Sequence, residues 1–145
     1  MAITTAVCNS FKSELLGGIH DLDTDTIKIA LIKSSEAGTY GAATTNYSNV
    51  TGNTDEASGT GYTTGGNTLA SPVISLDGSV AIVDFADTVW ANATISANGA
   101  LIYNASKSNK AIAVISFGGT VTSTAGDFTI QFPAAAAATA VIQLA

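Results

Sequence analysis

His20 and Cys8 are the only histidine and the only cysteine in this chain of 145 residues, and they are the side chains best suited to base or nucleophile chemistry. A Ser-His-Asp or Cys-His site needs a nucleophile held against the imidazole and a third group that orients it. Serine and aspartate are plentiful, but no G-x-S-x-G elbow occurs. His20 follows Gly17-Gly18, a helix stop, so it is expected in an exposed loop as a surface or capping residue. Cys8 precedes the first helix and reads as a buried or tolerated thiol. No catalytic residue is expected, and the chain is read as not an enzyme.

HDLDTDT sets Asp21, Asp23 and Asp25 at alternate positions, the spacing of the first three oxygen ligands of a calcium loop. The pattern then fails. The sixth position, Gly in such loops, is Thr26, and the twelfth, Glu, is Ile32. Asp21, Asp23 and Asp25 are the metal candidates; the alternative is a solvated loop whose aspartates hydrogen-bond the local backbone. No metal or other cofactor is expected. GTGYTTGG (Gly59 to Gly66) resembles a dinucleotide fingerprint, but its third glycine comes one place late and no βαβ unit surrounds it, so it reads as a loop. There is no G-K-[ST] phosphate loop. Trp90, Tyr103, Phe85 and Phe117 fall in strand-like runs, where aromatics usually form core or cross-strand pairs. Trp90 and Tyr62 are the visible candidates for a sugar-stacking platform.

The elements that must carry these residues alternate between two periods. Phe11, Leu15 and Ile19, with Leu16 beside them, form the stripe of one short helix at about Asn9–Leu16, capped by Asn9 or Ser10 and ended by Gly17-Gly18. A loose arm, residues 1–8, precedes it. From Thr26 the period becomes two: TIKIALIK puts Ile27, Ile29 and Leu31 on one face. Residues 34–67, rich in Gly, Thr, Asn and Ser, read as a long loop excursion, and such loops are usually functional. SPVISL and SVAIVDF flank Asp77-Gly78, and TVWANATIS and ALIYN flank Asn98-Gly99, two hairpin signatures. AIAVISF, DFTIQF and TAVIQL follow, the alanine run after Pro133 being a turn into the last strand. The whole is expected to be mainly β: a β-sandwich or jelly-roll-like single domain of about eight strands, residues 9–145, with one short N-terminal helix.

Only 11% of residues are charged, five lysines and no arginine against eleven acids, for a net charge of −6. Nucleic-acid binding needs Lys and Arg against phosphate, so no nucleic-acid partner is expected. No apolar run reaches the ~18 residues of a membrane helix, and no basic region followed by an apolar run marks a signal peptide. The triplets at Asn46, Asn49, Asn92 and Asn104 that match a glycosylation acceptor then read as chance in a Thr-, Ser- and Asn-rich chain. A single cysteine precludes an internal disulfide and fits synthesis in the cytosol. A surface of Thr, Ser, Asn, Gly and Ala is cheap to desolvate. It suits either extensive protein–protein contact or a neutral β-surface that meets only solvent.

The order FKSELLGGIHDLDTDTIKIALIK, SGTGYTTGG, VDFADTVWANATISANGALIYN, KAIAVISFGG and STAGDFTIQFP resembles a family of small virion structural proteins of tailed bacteriophages, similar to capsid decoration (cement) proteins. The resemblance spans most of the chain and thins over Ser34–Ala57 and the alanine run. It implies a compact β-fold without catalytic residues, made in the host cytoplasm and residing in the virion. Its partners would be the major capsid protein and further copies of itself; the uncharged, Thr- and Ala-rich exterior likewise predicts self-association in a closed oligomer such as a trimer. A tail, vertex or fibre-attachment component is the alternative, and a carbohydrate-binding or adhesive module the next. Contacts are expected from the arm and the excursion, at Met1, Ala2, Ile3, Thr4, Tyr40, Tyr47 and Tyr62.

Overall fold

A computed structural model describes residues 2–145. The chain is mainly β with one short N-terminal helix, as the period-two patterning predicts. Ten strands are present among the described residues: β1 (Ala2–Ile3), β2 (Ala6–Val7), β3 (Ile27–Lys33), β4 (Thr39–Tyr40), β5 (Asn67–Thr68), β6 (Val73–Asp77), β7 (Val80–Asp84), β8 (Thr88–Asn104), β9 (Lys110–Ile130) and β10 (Ile142–Leu144). Helix α1 (Asn9–Leu16) has the expected bounds, and a single turn, α2 (Ser48–Thr51), lies inside the excursion. No helix among the described residues is long and apolar enough to cross a membrane.

The main sheet has five strands in the order β2-β9-β8-β3-β5. Its spine is the antiparallel pair β8–β9, joined by a short 3-10 turn at Ala105–Lys107 followed by Ser108 and Asn109 at positive φ. Apolar side chains of β3, β8 and β9 (Ile29, Leu31, Ile95, Leu101, Ile102, Ile112 and Val114) are almost fully buried. A second sheet, β10-β7-β6, is antiparallel throughout, and β1 and β4 pair in parallel.

Three local readings change. Asn98-Gly99 is not a hairpin: residues 88–104 form one strand, and the pair marks a bulge where the register shifts between Ala97 and Gly99. Strands on both sides of β8 hold it straight through this point, and glycine is required because a Cβ there would press on the Ile115 carbonyl and stand 2.9 Å from Ile3 Cγ2. The other hairpin is real but turns one residue later than Asp77-Gly78. Asp77 pairs with Val80 around Gly78-Ser79, and positive φ at Gly78 alone is the pattern of a type II′ turn. The residue capping the start of helix α1 is Cys8, which makes no side-chain cap bond, so neither Asn9 nor Ser10 serves.

The arm is not loose. Ala2–Ile3 pair with Thr39–Tyr40, Ala6–Val7 pair with Val114 and Ala113 on β9, and the Cys8 N–H donates to the Ile112 carbonyl at 2.9 Å. These are backbone bonds, made without regard to side-chain type, so no hydrophobic period announces them. Met1 lies outside the described residues.

Candidate assembly surface

The residues singled out for chemistry are used in holding the fold. The Asp21 carboxylate accepts from the N–H groups of Asp23 (3.1 Å) and Thr24 (3.3 Å). Asp25 accepts from the Asp21 N–H (3.0 Å) and from Asn104 Nδ2 (2.7 Å), with Lys107 Nζ at 3.7 Å. The carboxylates of Asp21 and Asp25 thus fasten the turn, in the manner of Asx turns, and Asp25 pins it to the end of β8. Among the described residues no group of three His, Cys, Asp or Glu could hold a metal ion. His20 is buried rather than in an exposed loop. Its Nε2 lies 3.2 Å from Glu14 Oε1, its Nδ1 lies 3.0 Å from Asn104 Nδ2, and its ring packs on Phe11 with centroids 4.9 Å apart. Both ring nitrogens are occupied, and no hydroxyl or thiol stands against them. Cys8 is fully buried, and burial followed by the Glu14 charge pushes its thiol up to about 11, away from the reactive thiolate.

The tyrosines expected at a partner contact point inward. Tyr40 is 2% exposed, and its hydroxyl donates to Asp55 Oδ2 at 2.6 Å. The buried Asp55 carboxylate also accepts the N–H groups of Ala37 (2.9 Å) and Gly38 (2.8 Å), and Lys33 Nζ lies at 3.4 Å. The adjacent Glu56 takes the hydroxyls of Tyr47 and Tyr62 (the latter at 2.8 Å) and the Gly65 N–H at 2.6 Å. Tyr47 stacks on Tyr103 with centroids 4.5 Å apart and planes within 7°. Burial, then the bonded Asp55 carboxylate, pushes the Tyr40 hydroxyl up to about 12, so it remains a donor. Burial and Glu56 raise Tyr47 and Tyr62 as well. Residues 34–67 are therefore a surface segment anchored to the core through two neighbouring carboxylates, with Tyr40, Val50 and Asp55 buried beneath it. Asp55 and Glu56 are the organising residues that the sequence reading missed. The available signal was an adjacent acid pair among three tyrosines in a chain with few charges. Trp90 is buried against Tyr62 and Phe128, so it forms no exposed platform for sugar stacking. Of the arm residues, Ala2 and Thr4 are exposed while Ile3 is half-buried beside Gly99.

Most of the exposed features that remain are apolar. A groove of about 450 Å³ runs beside β9, lined by Ala113, Ile115, Phe117, Phe128, Ile130 and Val141 among others. A polar hollow of about 480 Å³ lies over Thr39, Thr44, Ser48, Asn49 and Asn53, whose amides are already committed to the local backbone. Several exposed apolar side chains gather on the small sheet. Strand β6 is its outer edge, and all five residues are exposed: Val73 by 54%, Ile74 by 53% and Leu76 by 73%. Leu144 on β10 and Leu16 at the end of α1 are exposed as well. A cleft of about 400 Å³ between the end of α1 and this sheet brings Leu15, Leu22, Ile74, Val83, Ile142 and Leu144 together. The alternation of a strand puts Ile74 and Leu76 on the face toward this cleft and Val73, Ser75 and Asp77 on the other.

No protein-family model, curated protein or solved structure matches the chain.

Proposed function

We propose that this chain is a structural subunit of a tailed-phage particle, a capsid decoration protein that binds the major capsid lattice and associates with copies of itself. It is a binding protein and not an enzyme. One observation carries this reading: an open strand edge, β6, that holds Val73, Ile74 and Leu76 in solvent on a chain with only 11% charged residues. Exposed apolar patches of this kind mark interaction sites, and an unpaired strand is a template for another chain. The order of segments from FKSELLGGIHDLDTDTIKIALIK to STAGDFTIQFP, similar to small virion proteins, supports the same reading. A bridging subunit strengthens a closed shell because each end is held at high effective concentration by the other.

The test is a heat-release curve for particles with and without this protein. Particles lacking it are expected to assemble and to release their genome at a lower temperature. Equal heat resistance combined with lost adsorption to cells would replace the capsid reading by a tail or fibre-attachment role.

A further inference from the structure

We propose that β6 is the contact by which two copies of this chain join, pairing antiparallel about a two-fold axis at Ser75 so that two three-stranded sheets merge into one of six strands. This rests on the self-association reading above and names its geometry. The outward N–H and C=O groups of β6 have no strand partner among the described residues. That row of groups is satisfied best by another extended strand. Natural edges are usually blunted by lysine, by a bulge or by brevity. Here the five residues VISLD carry no lysine, and the ladder from Val73–Asp84 to Asp77–Val80 runs without a bulge. Pro72 stands just before the strand and removes no donor from it.

The occupant follows from the sequence of the strand itself. In an antiparallel register centred on Ser75, Ile74 meets Leu76 of the second copy, and the reverse pair repeats it across the axis. Ser75 meets its own counterpart, and Val73 meets Asp77. Two apolar cross-strand pairs thus form on one face, and no carboxylate meets another. The single charge, Asp77, accepts the Ala137 N–H at 2.7 Å and in this register faces Val73 rather than a second carboxylate. The apolar pairs lie on the same face as the cleft beside α1, which Ile74 lines. An isologous contact of this kind uses both edges fully and closes at two copies.

The experiment measures mass in solution for the native chain and for Ile74→Lys/Leu76→Lys, with circular dichroism as the check on folding. Cysteine cross-linking of Ser75→Cys is run beside Ser79→Cys in the adjoining turn. The native chain is expected to be a dimer, and the double lysine variant a folded monomer, its association weakened by at least about tenfold for two lost apolar pairs. Opposed residues in an antiparallel pair have Cβ atoms within about 5.5 Å, so oxidised Ser75→Cys should give a covalent dimer and Ser79→Cys should not. The buried native Cys8 is silent in this assay. A dimer that survives both lysines, a trimer, or equal cross-linking at 75 and 79 overturns the β6 contact and leaves self-association standing. If the lysine variant fails to fold, the cross-linking pair decides. A monomeric native chain overturns the contact, and the heat-release curve then judges the decoration reading independently.

Discussion

The hydroxyl of Tyr40 lies 2.6 Å from Oδ2 of Asp55, inside the protein and fifteen residues away along the chain. This bond and its neighbours anchor a stretch that reads as loop to the body of the fold. Asp55 has four donors: Tyr40, the Ala37 and Gly38 amides and the Lys33 ammonium. Removing it takes an acceptor from all four, of which Tyr40 is at a buried position. Asp55→Ala should therefore cost about 3–5 kcal/mol in urea unfolding. Tyr40→Phe, which leaves the carboxylate its other donors, should cost about 1–2 kcal/mol. Lys33→Met should cost under about 1 kcal/mol, because the ammonium is one-third exposed. An Asp55→Ala chain as stable as Tyr40→Phe would refute this ranking.

The same cluster sets the response to acid. Burial raises the Asp55 carboxyl, but the Tyr40 hydroxyl and the Ala37 and Gly38 amides outweigh it and hold it below its ordinary value of 3.8. Asp25, bonded by Asn104, and Glu14, bonded by His20 and Lys110, are held low in the same way, from 3.8 and 4.5. A folded value below the unfolded one means that the unfolded chain binds protons first. The stability these groups add is complete above their ordinary values and is lost as pH falls through the folded ones. Urea midpoints should stay level down to about pH 5 and then fall. The fall should be shallower in Asp55→Asn, and an equally steep one would remove Asp55 from the account.

Gly66 lies at φ 77°, and a Cβ there would collide with the carbonyl oxygen of Ile29 on β3. The GTGYTTGG run that resembles a nucleotide fingerprint is glycine-rich because it crosses strand backbones at close range. Gly66→Ala combines a left-handed strain with a backbone clash and should cost roughly 3 kcal/mol or more. A thermal midpoint within a degree or two of the native one would contradict this.

Legibility in the sequence followed the range of the forces involved. Helix α1 was readable because Phe11 and Leu15 repeat within one turn and Gly18, at φ 73°, ends it locally. The β6–β7 hairpin was readable because Asp77-Gly78 needs only its two flanking strands. Asn98-Gly99 carries the same local signal, yet pairing of β8 with both β3 and β9 overrides it. The arm and residues 34–67 depend on partners far along the chain: Ile3 beside Gly99, Tyr47 on Tyr103, Tyr62 against Trp90. No window of the sequence contains both members of those pairs. The exposed β6 edge was equally hidden, since an apolar alternating strand reads the same whether it lies inside a sheet or at its rim.

Thr54 holds φ at 56° on the surface, although a β-branched residue is disfavoured there. Its carbonyl accepts from Lys33 Nζ at 2.7 Å, a bond that any side chain at 54 preserves. Thr54→Asn should relieve the strain and stabilise by up to about 1 kcal/mol, since Asn tolerates this region. Its midpoint would rise by a few degrees at most, and a fall would show that the Thr54 methyl or hydroxyl has a role of its own.

The arm provides the sharpest contrast between the sequence expectation and the fold. A loose arm could be removed without effect on the domain. The paired one cannot. Residues 2–7 supply the Thr4 N–H bond to the Tyr40 carbonyl (2.9 Å), the Thr5 hydroxyl that accepts from the Ser116 N–H (2.9 Å), and the half-buried side chains of Ile3 and Val7. Their loss uncovers the apolar groove beside Ala113 and Val114 and leaves the β4 segment without its parallel partner. Deleting residues 1–7 should lower stability by on the order of 3 kcal/mol, about the burial of one or two aliphatic side chains with their backbone bonds. Hydrogen exchange should quicken at Ser116 and along 39–40 before it does in β3. A truncated chain with native stability and unchanged exchange at Ser116 would restore the loose arm.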